Sequence, residues 1–368
     1  MKIAEILKVI EQEFPLAYQD SFDHSGLQVG DTGWELTGIM LGVDVTEELL
    51  KEAVRNGDNL VITHHPLLFH PLKELTPSTY VERCVAFAVK HDLVLYAVHT
   101  NLDNAPGGLN RYWAERVGLL PETLRAIRPI EEYYFKVQVF VPGEYAEKVR
   151  EALRETGAGS QGDYDGCSFT HFGEGRFAAR PGARPFLGEI GEWHVEPEAQ
   201  VSALVPKHLL SETLRAVRTV HPYEEPAIDI LALRHTDPKL GAGIFGELPE
   251  PITLEAFLDK IKAWQAPGSP VALSTVLHKK VKRIAYCGGA GAFLLKDAAR
   301  LGADLFITGE AKYNDYHDAR DLTTLATMGH FETEWFAVDV IEKVLSRKKG
   351  NFAVHRALEQ MNPIRYYI

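Results

Sequence analysis

Apolar residues recur at Ile3, Ile6, Leu7 and Ile10, the spacing of one helical face, and Pro15 ends the pattern, so a helix is predicted over residues 3–14. After a polar loop at 19–26, residues 38–43 form a short apolar run rich in strand formers. Thr46, just ahead of Glu47-Glu48, is placed to cap a helix that runs to Arg55. Leu60-Val61-Ile62-Thr63 then reads as a second buried strand. Strand, helix and strand within about 25 residues make a βαβ unit, with parallel strands and a right-handed crossover. A further helix near 81–91 and a strand at 94–98 extend the alternation.

The same pattern returns towards the C-terminus. Leu49-Leu50-Lys51-Glu52-Ala53-Val54-Arg55-Asn56-Gly57 leads into the strand at 60–63 and then His64-His65. Leu294-Leu295-Lys296-Asp297-Ala298-Ala299-Arg300-Leu301-Gly302 leads likewise into Leu305-Phe306-Ile307-Thr308 and then Gly309-Glu310. In this second copy a strand at 283–287 turns through Gly288-Gly289-Ala290-Gly291 into a helix at 293–301, and a helical stretch at 316–322 precedes a strand at 324–328. Each copy also carries a His, three residues and a carboxylate: His99 to Asp103, and His330 to Glu334. These polar clusters fall just past the C-terminal ends of predicted strands, where open α/β sheets place their ligands.

Between the copies the periodicity changes. Residues 133–140 alternate as a strand, 144–156 read as an amphipathic helix, and strand-like segments with many glycines surround 166–172 and 199–204. A helix at 209–219 and a strand at 227–233 complete a βαββαβ order, the ferredoxin-like arrangement. Residues 121–129 and 234–241 serve as outgoing and return linkers. The fold class expected is α/β: duplicated βαβ-type halves at 1–128 and 236–368 forming one core, interrupted by an inserted ferredoxin-like α+β domain at 129–235.

Composition narrows the function classes. A chain of 368 residues is too long for one ordinary core, and 45% hydrophobic with 24% charged residues is the balance of a globular protein, which excludes a disordered one. The net charge of -12 argues against nucleic acid as a partner, since neutralising phosphates takes clustered Lys and Arg. Cys84, Cys167 and Cys287 are far apart and odd in number, so neither a disulfide framework nor a Cys-based zinc site is expected. Charges at every turn of the N-terminal segment exclude a signal peptide, and no run approaches the roughly 20 apolar residues of a transmembrane helix. A soluble cytoplasmic protein is the expectation.

The chemistry then rests on the polar clusters. Adjacent strand residues point to opposite faces, so His64 and His65 reach one ligand only if the chain leaves the strand there, and Pro66 favours that departure. His99 and Asp103 would share a face in a helix, yet Thr100-Asn101 and Pro106-Gly107-Gly108 point to a loop. His330 and Glu334 open the final helix and face one direction, as chelating pairs do. Together these residues exceed what one tetrahedral ion needs and suit two divalent ions bridged by a carboxylate. Zinc, iron, manganese, cobalt and nickel all accept such ligands. An ion pair of this kind lowers the pKa of bound water and stabilises attacking and leaving oxygens, so hydrolysis is the chemistry expected. Glu310 stands where His65 stands in the first copy and is a candidate base or substrate contact; a buried salt bridge is the plainer alternative. The turn around Gly289 either offers backbone N–H groups to an anion or is simply tight. Lys73 either meets a substrate phosphate or is solvated.

Ser25-Gly26-Leu27-Gln28-Val29-Gly30, Ile62-Thr63-His64-His65-Pro66-Leu67, His99-Thr100-Asn101-Leu102-Asp103, Thr308-Gly309-Glu310, and Gly329-His330 with Thr333-Glu334 together resemble the NIF-three-like family (DUF34), whose members are often labelled GTP cyclohydrolase 1 type 2 homologs. The inserted segment resembles the PII/CutA-like domain of the longer bacterial members, through Gly173-Glu174-Gly175-Arg176-Phe177, Pro185-Phe186-Leu187-Gly188-Glu189 and His221-Pro222-Tyr223-Glu224-Glu225-Pro226. The resemblance implies a dinuclear metal centre held by His64, His65, Asp103, His330 and Glu334, with His99 beside the ligands, and a toroidal homohexamer whose sites face an inner cavity. Phe22-Asp23-His24 stands where relatives tend to carry Trp-Asp-Asn; Asp23 and His24 are candidate substrate contacts that this departure leaves open, and His24 either reshapes the cleft entrance or adds a ligand. The implied function is metal-dependent hydrolysis of a nucleotide or similar small molecule; the cyclohydrolase label supposes attack on the imidazole carbon of GTP, ring opening and loss of formate. The alternative is a non-catalytic metal-binding or regulatory protein whose inserted domain senses a ligand.

Overall fold

Ile3, Ile6, Leu7 and Ile10 are all buried along one side of α1 (Ile3–Glu13), which ends before Pro15. The computed structural model describes residues 1–275, 279–348, 350, 352–357 and 362–367. The chain continues through β1 (Gly26–Val29), β2 (Ile39–Gly42), α2 (Glu47–Asn56), β3 (Leu60–Thr63), α3 (Tyr80–Lys90) and β4 (Val94–Ala97). Thr46 caps α2, its hydroxyl accepting from Leu49 N at 3.1 Å, and Gly57 closes the helix at φ 79°, where a side chain would be strained. The short α4 (Thr100–Asn104), α5 (Leu109–Val117) and β5 (Arg128–Pro129) follow. The loop expected at 99–103 is thus a helix. Asp23 explains the difference: its Oδ2 accepts from Thr100 N at 3.1 Å, a cap supplied from 77 residues away that local sequence does not reveal.

The inserted segment comprises β6 (Tyr134–Pro142), α6 (Ala146–Glu155), β7 (Ser168–Ala178), β8 (Trp193–Pro206), α7 (Leu210–Val220) and β9 (Ile228–Leu233). Its antiparallel sheet runs β7-β8-β6-β9. Alternate residues Val137, Val139, Val141, Ala199, Val201, Ala203 and Val205 face one way and bury against Val149, Leu153 and Val217 of the two helices. β7 and β8 extend well beyond the segments the glycine-rich pattern suggests.

After the insert come β10 (Gly241–Ala242), β11 (Ile244–Thr253), α8 (Leu254–Gln265), β12 (Ala272–Leu273), β13 (Lys280–Cys287), α9 (Leu295–Arg300), β14 (Leu305–Thr308), α10 (Tyr313–Asp318), β15 (Thr324–Thr327), α11 (His330–Glu334), α12 (Ala337–Leu345) and β16 (Val354–Arg356). The helix expected at 293–301 begins as a 3₁₀ turn, Gly291–Leu294, and becomes α-helical only from Leu295. The contacts divide the chain into two units, Met1–Pro129 with Asp237–Ile368, and Ile130–Thr236. Among the described residues no helix is long and apolar enough to cross a membrane.

In the larger unit one sheet runs β1-β4-β3-β2-β16 and the other β11-β13-β14-β15-β12. The inner strands are parallel and buried on both faces, which is why each reads as an unbroken apolar run. Ile39, Leu41, Leu60, Ile62 and Val94 of the first sheet share a core with Ile284, Leu305 and Ile307 of the second, with α1, α5, α8 and α12 contributing to it. Their alternates, Met40, Val61 and Leu95, pack against α2 and α3. Gly42, Thr63 and Ala97 are register partners in the first sheet, as are Cys287, Thr308 and Thr327 in the second. The parallel strands of each sheet therefore end level, and the residues that follow them form one rim per sheet.

Candidate metal centre

That rim carries the polar clusters. β3 ends at Thr63, and the chain turns as Thr63 Oγ1 donates to the His65 carbonyl at 2.8 Å, so both imidazoles reach one side with ring centroids 5.0 Å apart. Each histidine of the cluster is fixed through its Nδ1: His64 donates to the Val98 carbonyl at 2.9 Å, His65 to Asp44 Oδ1 at 2.7 Å, His99 to Asp23 Oδ1 at 2.7 Å, and His330 to Glu310 Oε1 at 2.9 Å. An imidazole whose Nδ1 donates keeps its Nε2 lone pair for a ligand, and metal-binding histidines are oriented in this way. Asp44 was not anticipated; its signal is its place just past β2, level with the histidine pair.

Glu334 lies at the centre, buried. Its Oε2 is 2.9 Å from His65 Nε2 and 3.0 Å from His330 Nε2, and its Oε1 is 3.7 Å from His64 Nε2. Asp103 Oδ1 also lies 3.7 Å from His64 Nε2. His64 Nε2 and Asp103 Oδ1 are buried and have no hydrogen-bond partner. Buried lone pairs facing one another without a proton are costly, and a cation between them removes the cost. Burial alone would raise the Glu334 carboxyl; His65, with His330 and His64, holds it well below the usual carboxylate range instead. Burial would likewise lower His330, but Glu334 carries it to about 9. Burial and the Glu334 charge push Asp103 up to about 6, although His64 opposes the rise. The buried carboxylates draw positive charge to the cluster, a charge that protons on the imidazoles or a bound cation can supply.

Three groups have ligand atoms within 4.8 Å of one another: His64 with His65 and His99, His65 with His330 and Glu334, and His64 with Asp103 and Glu334. The last two share Glu334. His99 thus stands close enough to join the ligand set. Gly289 touches it without a side chain: it sits at φ 59°, and a Cβ there would lie 2.3 Å from Glu334 Oε1. The N–H groups of Gly288, Gly289 and Gly291 donate to Asn110, Thr333 and Thr308, which leaves the turn no such donor for an anion at those residues. The Asp23 side chain has no exposed surface and is bonded to His99 Nδ1. His24 is exposed with its Nδ1 on the Leu68 carbonyl at 2.7 Å, and Lys73 is exposed; neither lines the cleft. That cleft, of about 290 Å³, is walled by Phe22, Phe69 and Phe293 above His65, His99, Asp103, His330 and Glu334.

The family profile described as Duf34/NIF3 (NGG1p interacting factor 3) matches residues 1–363. The chain belongs to the DUF34/NIF3 family. A relative from Halalkalibacterium halodurans named GTP cyclohydrolase 1 type 2 homolog is 33% identical over 374 residues, covering 100% of both chains. Another of that name from Bacillus subtilis is 34% identical, covering 93% of this chain and 91% of its own. Among solved NIF3-related structures, a Bacillus cereus protein related to NIF3 superposes with a TM-score of 0.83 at 32% identity, over 100% of this chain and 99% of that one. Staphylococcus aureus protein SA1388 does so with a TM-score of 0.77 at 27% identity, again over 100% and 99%. The DUF34/NIF3 likeness spans both halves of the core and the insert alike.

Proposed function

We propose that this DUF34/NIF3 chain holds two divalent ions, one near His65, His330 and Glu334 and one near His64, Asp103 and Glu334, and hydrolyses a small molecule of the nucleotide kind. The observation that carries the reading is the pair of buried, partnerless atoms His64 Nε2 and Asp103 Oδ1 beside Glu334. When bound, such ions supply Lewis acidity and water of lowered pKa, the requirement of hydrolysis. The chain's own residues do the rest. Asp44, Asp23, Glu310 and the Val98 carbonyl hold the imidazoles in one tautomer, so no reorganisation is needed when a ligand arrives. Phe22, Phe69 and Phe293, exposed at 63%, 41% and 53%, offer faces on which a planar ring stacks. The name GTP cyclohydrolase 1 type 2 homolog borne by relatives accords with a purine substrate.

Zinc, iron, manganese, cobalt and nickel remain the ions to compare, and the toroidal homohexamer and the PII/CutA-like character of the insert belong to the same reading. Elemental analysis of the native protein, His64→Ala and Glu334→Ala tests the centre: two equivalents should fall towards one and towards none respectively. Unchanged metal content in Glu334→Ala sinks the proposal. Formate release from GTP by the metal-loaded protein then tests the reaction, and native mass spectrometry tests the hexamer.

A further inference from the structure

The inserted unit has a cavity of its own, built from four sequence segments the metal centre does not use. About 280 Å³ of space is lined by Gly175, Arg176 and Phe177 from β7, by Pro185 and Phe186 from the following loop, and by Tyr223, Glu224 and Glu225 after α7, with Glu198 of β8 alongside. The rings of Phe177 and Phe186 lie 5.7 and 6.4 Å from that of Tyr223, at interplanar angles of 61° and 49°. They present aromatic faces rather than a close-packed stack.

The polar groups are deliberately placed. His221 donates its Nε2 proton to the Phe140 carbonyl at 2.8 Å and accepts the Tyr223 N–H on Nδ1 at 3.1 Å, which fixes where the Tyr223 ring stands. The Tyr223 hydroxyl donates to Glu198 Oε1 at 2.9 Å. Glu198 Oε2 has no hydrogen bond among the described residues, and it lies where a Cβ on Gly175 would come within 2.2 Å. Glycine at 175 therefore lets the carboxylate lie over the strand at the cavity wall. The lining carries three carboxylates, Glu198, Glu224 and Glu225, against one guanidinium, that of the exposed Arg176. Aromatic faces with an available carboxylate attract a cation and repel an anion.

We propose that this cavity is a second binding site, for a small organic cation: an ammonium or guanidinium group on a short apolar body. The charged head meets Glu198 Oε2 and the ring faces; the apolar body lies against Phe186 and Pro185. His221 is a positioning residue acting through Tyr223. The site is independent of the metal reading, since every residue in it belongs to the inserted unit.

Titrating the full-length, metal-loaded protein calorimetrically with n-butylammonium tests this, with butyrate and n-butanol as the anionic and neutral probes. Saturable binding of n-butylammonium alone is expected. Glu198→Gln should weaken it by about tenfold or more, and Phe186→Ala similarly, whereas Tyr223→Phe, which keeps the ring, should change it only a few-fold. Circular dichroism and the metal content of each variant establish that it is folded. Absence of saturable binding, equal binding of butyrate, or an unaltered affinity in folded Glu198→Gln would overturn the proposal. A smaller assembly in Phe186→Ala without loss of a binding event would also overturn it, by making the cavity a surface covered by a second copy.

Discussion

Gly289 and Glu334 approach so closely that the glycine leaves room for the carboxylate: a Cβ at 289 would lie 2.3 Å from Glu334 Oε1 and 3.1 Å from His330 Nε2. The backbone there is also in the left-handed region, at φ 59°. Gly289→Ala is therefore expected to displace Glu334, the carboxylate common to two of the ligand groups. The variant should fold, with a strain cost of about 1–3 kcal/mol, and should lose most of its bound metal. A folded Gly289→Ala protein with full metal content would show that Glu334 does not hold the ions.

Glu310 acts on the site through His330, accepting its Nδ1 proton at 2.9 Å while itself remaining 55% exposed. Glutamine retains a carbonyl oxygen that can accept this bond, and alanine does not. Glu310→Gln should accordingly bind metal close to normally, whereas Glu310→Ala should weaken metal affinity by roughly 10–100-fold, the usual effect of removing the group behind a metal-binding imidazole. Competition with a chromogenic chelator measures both. Equal losses in the two variants would contradict an orienting role.

His64, His65, His330 and Glu334 were legible because strand-forming runs end immediately before them or near them, and the duplicated Leu-Leu-Lys unit aligns the two copies. Their supports were not. Asp44 is 21 residues from His65, and Asp23 is 76 from His99, and nothing local announces either pairing. The same distance effect hid α4, whose cap comes from Asp23. β11 escaped notice because Leu248-Pro249-Glu250-Pro251 breaks its alternation, and its pairing with β13 shifts register between Glu247 and Ile252. β16 lies beyond the second copy, yet it pairs with β2 of the first, a connection no short-range pattern encodes. In the insert, Gly173 and Gly175 weaken the strand signal of β7, whose length is set by its partner β8.

Asp304 anchors the start of β14 away from the cleft. Its Oδ2 accepts from Lys282 N at 3.0 Å and Arg283 N at 2.9 Å, and its Oδ1 from the Arg283 guanidinium at 2.9 Å. Burial raises its carboxyl, but these bonds outweigh burial and hold it below the usual range. A depressed folded value means that the stabilisation is fully present above the unfolded value of about 3.9 and is lost as pH falls through the folded one. Asp304→Asn should cost about 1–2 kcal/mol at neutral pH. Urea unfolding should show that difference shrinking below about pH 4; a constant difference across pH would mean the carboxylate charge is not what matters.

The cysteines differ in how far the fold covers them. Cys84 is fully buried, and burial, with Glu47 and Glu48 nearby, pushes its thiol up to about 11. Burial raises Cys287 well above the usual thiol range, and the Asp103 and Glu334 charges add to it. Cys167, in the inserted unit, is only half-buried. A disulfide reagent at mildly alkaline pH should therefore modify the accessible Cys167 rapidly in the native protein and reach the buried Cys84 and Cys287 only on unfolding. Cys167→Ser should abolish the fast phase entirely. Rapid modification persisting in that variant would mean that β3 and α3 open far more often than the packing of Met40, Val61 and Leu95 around Cys84 allows.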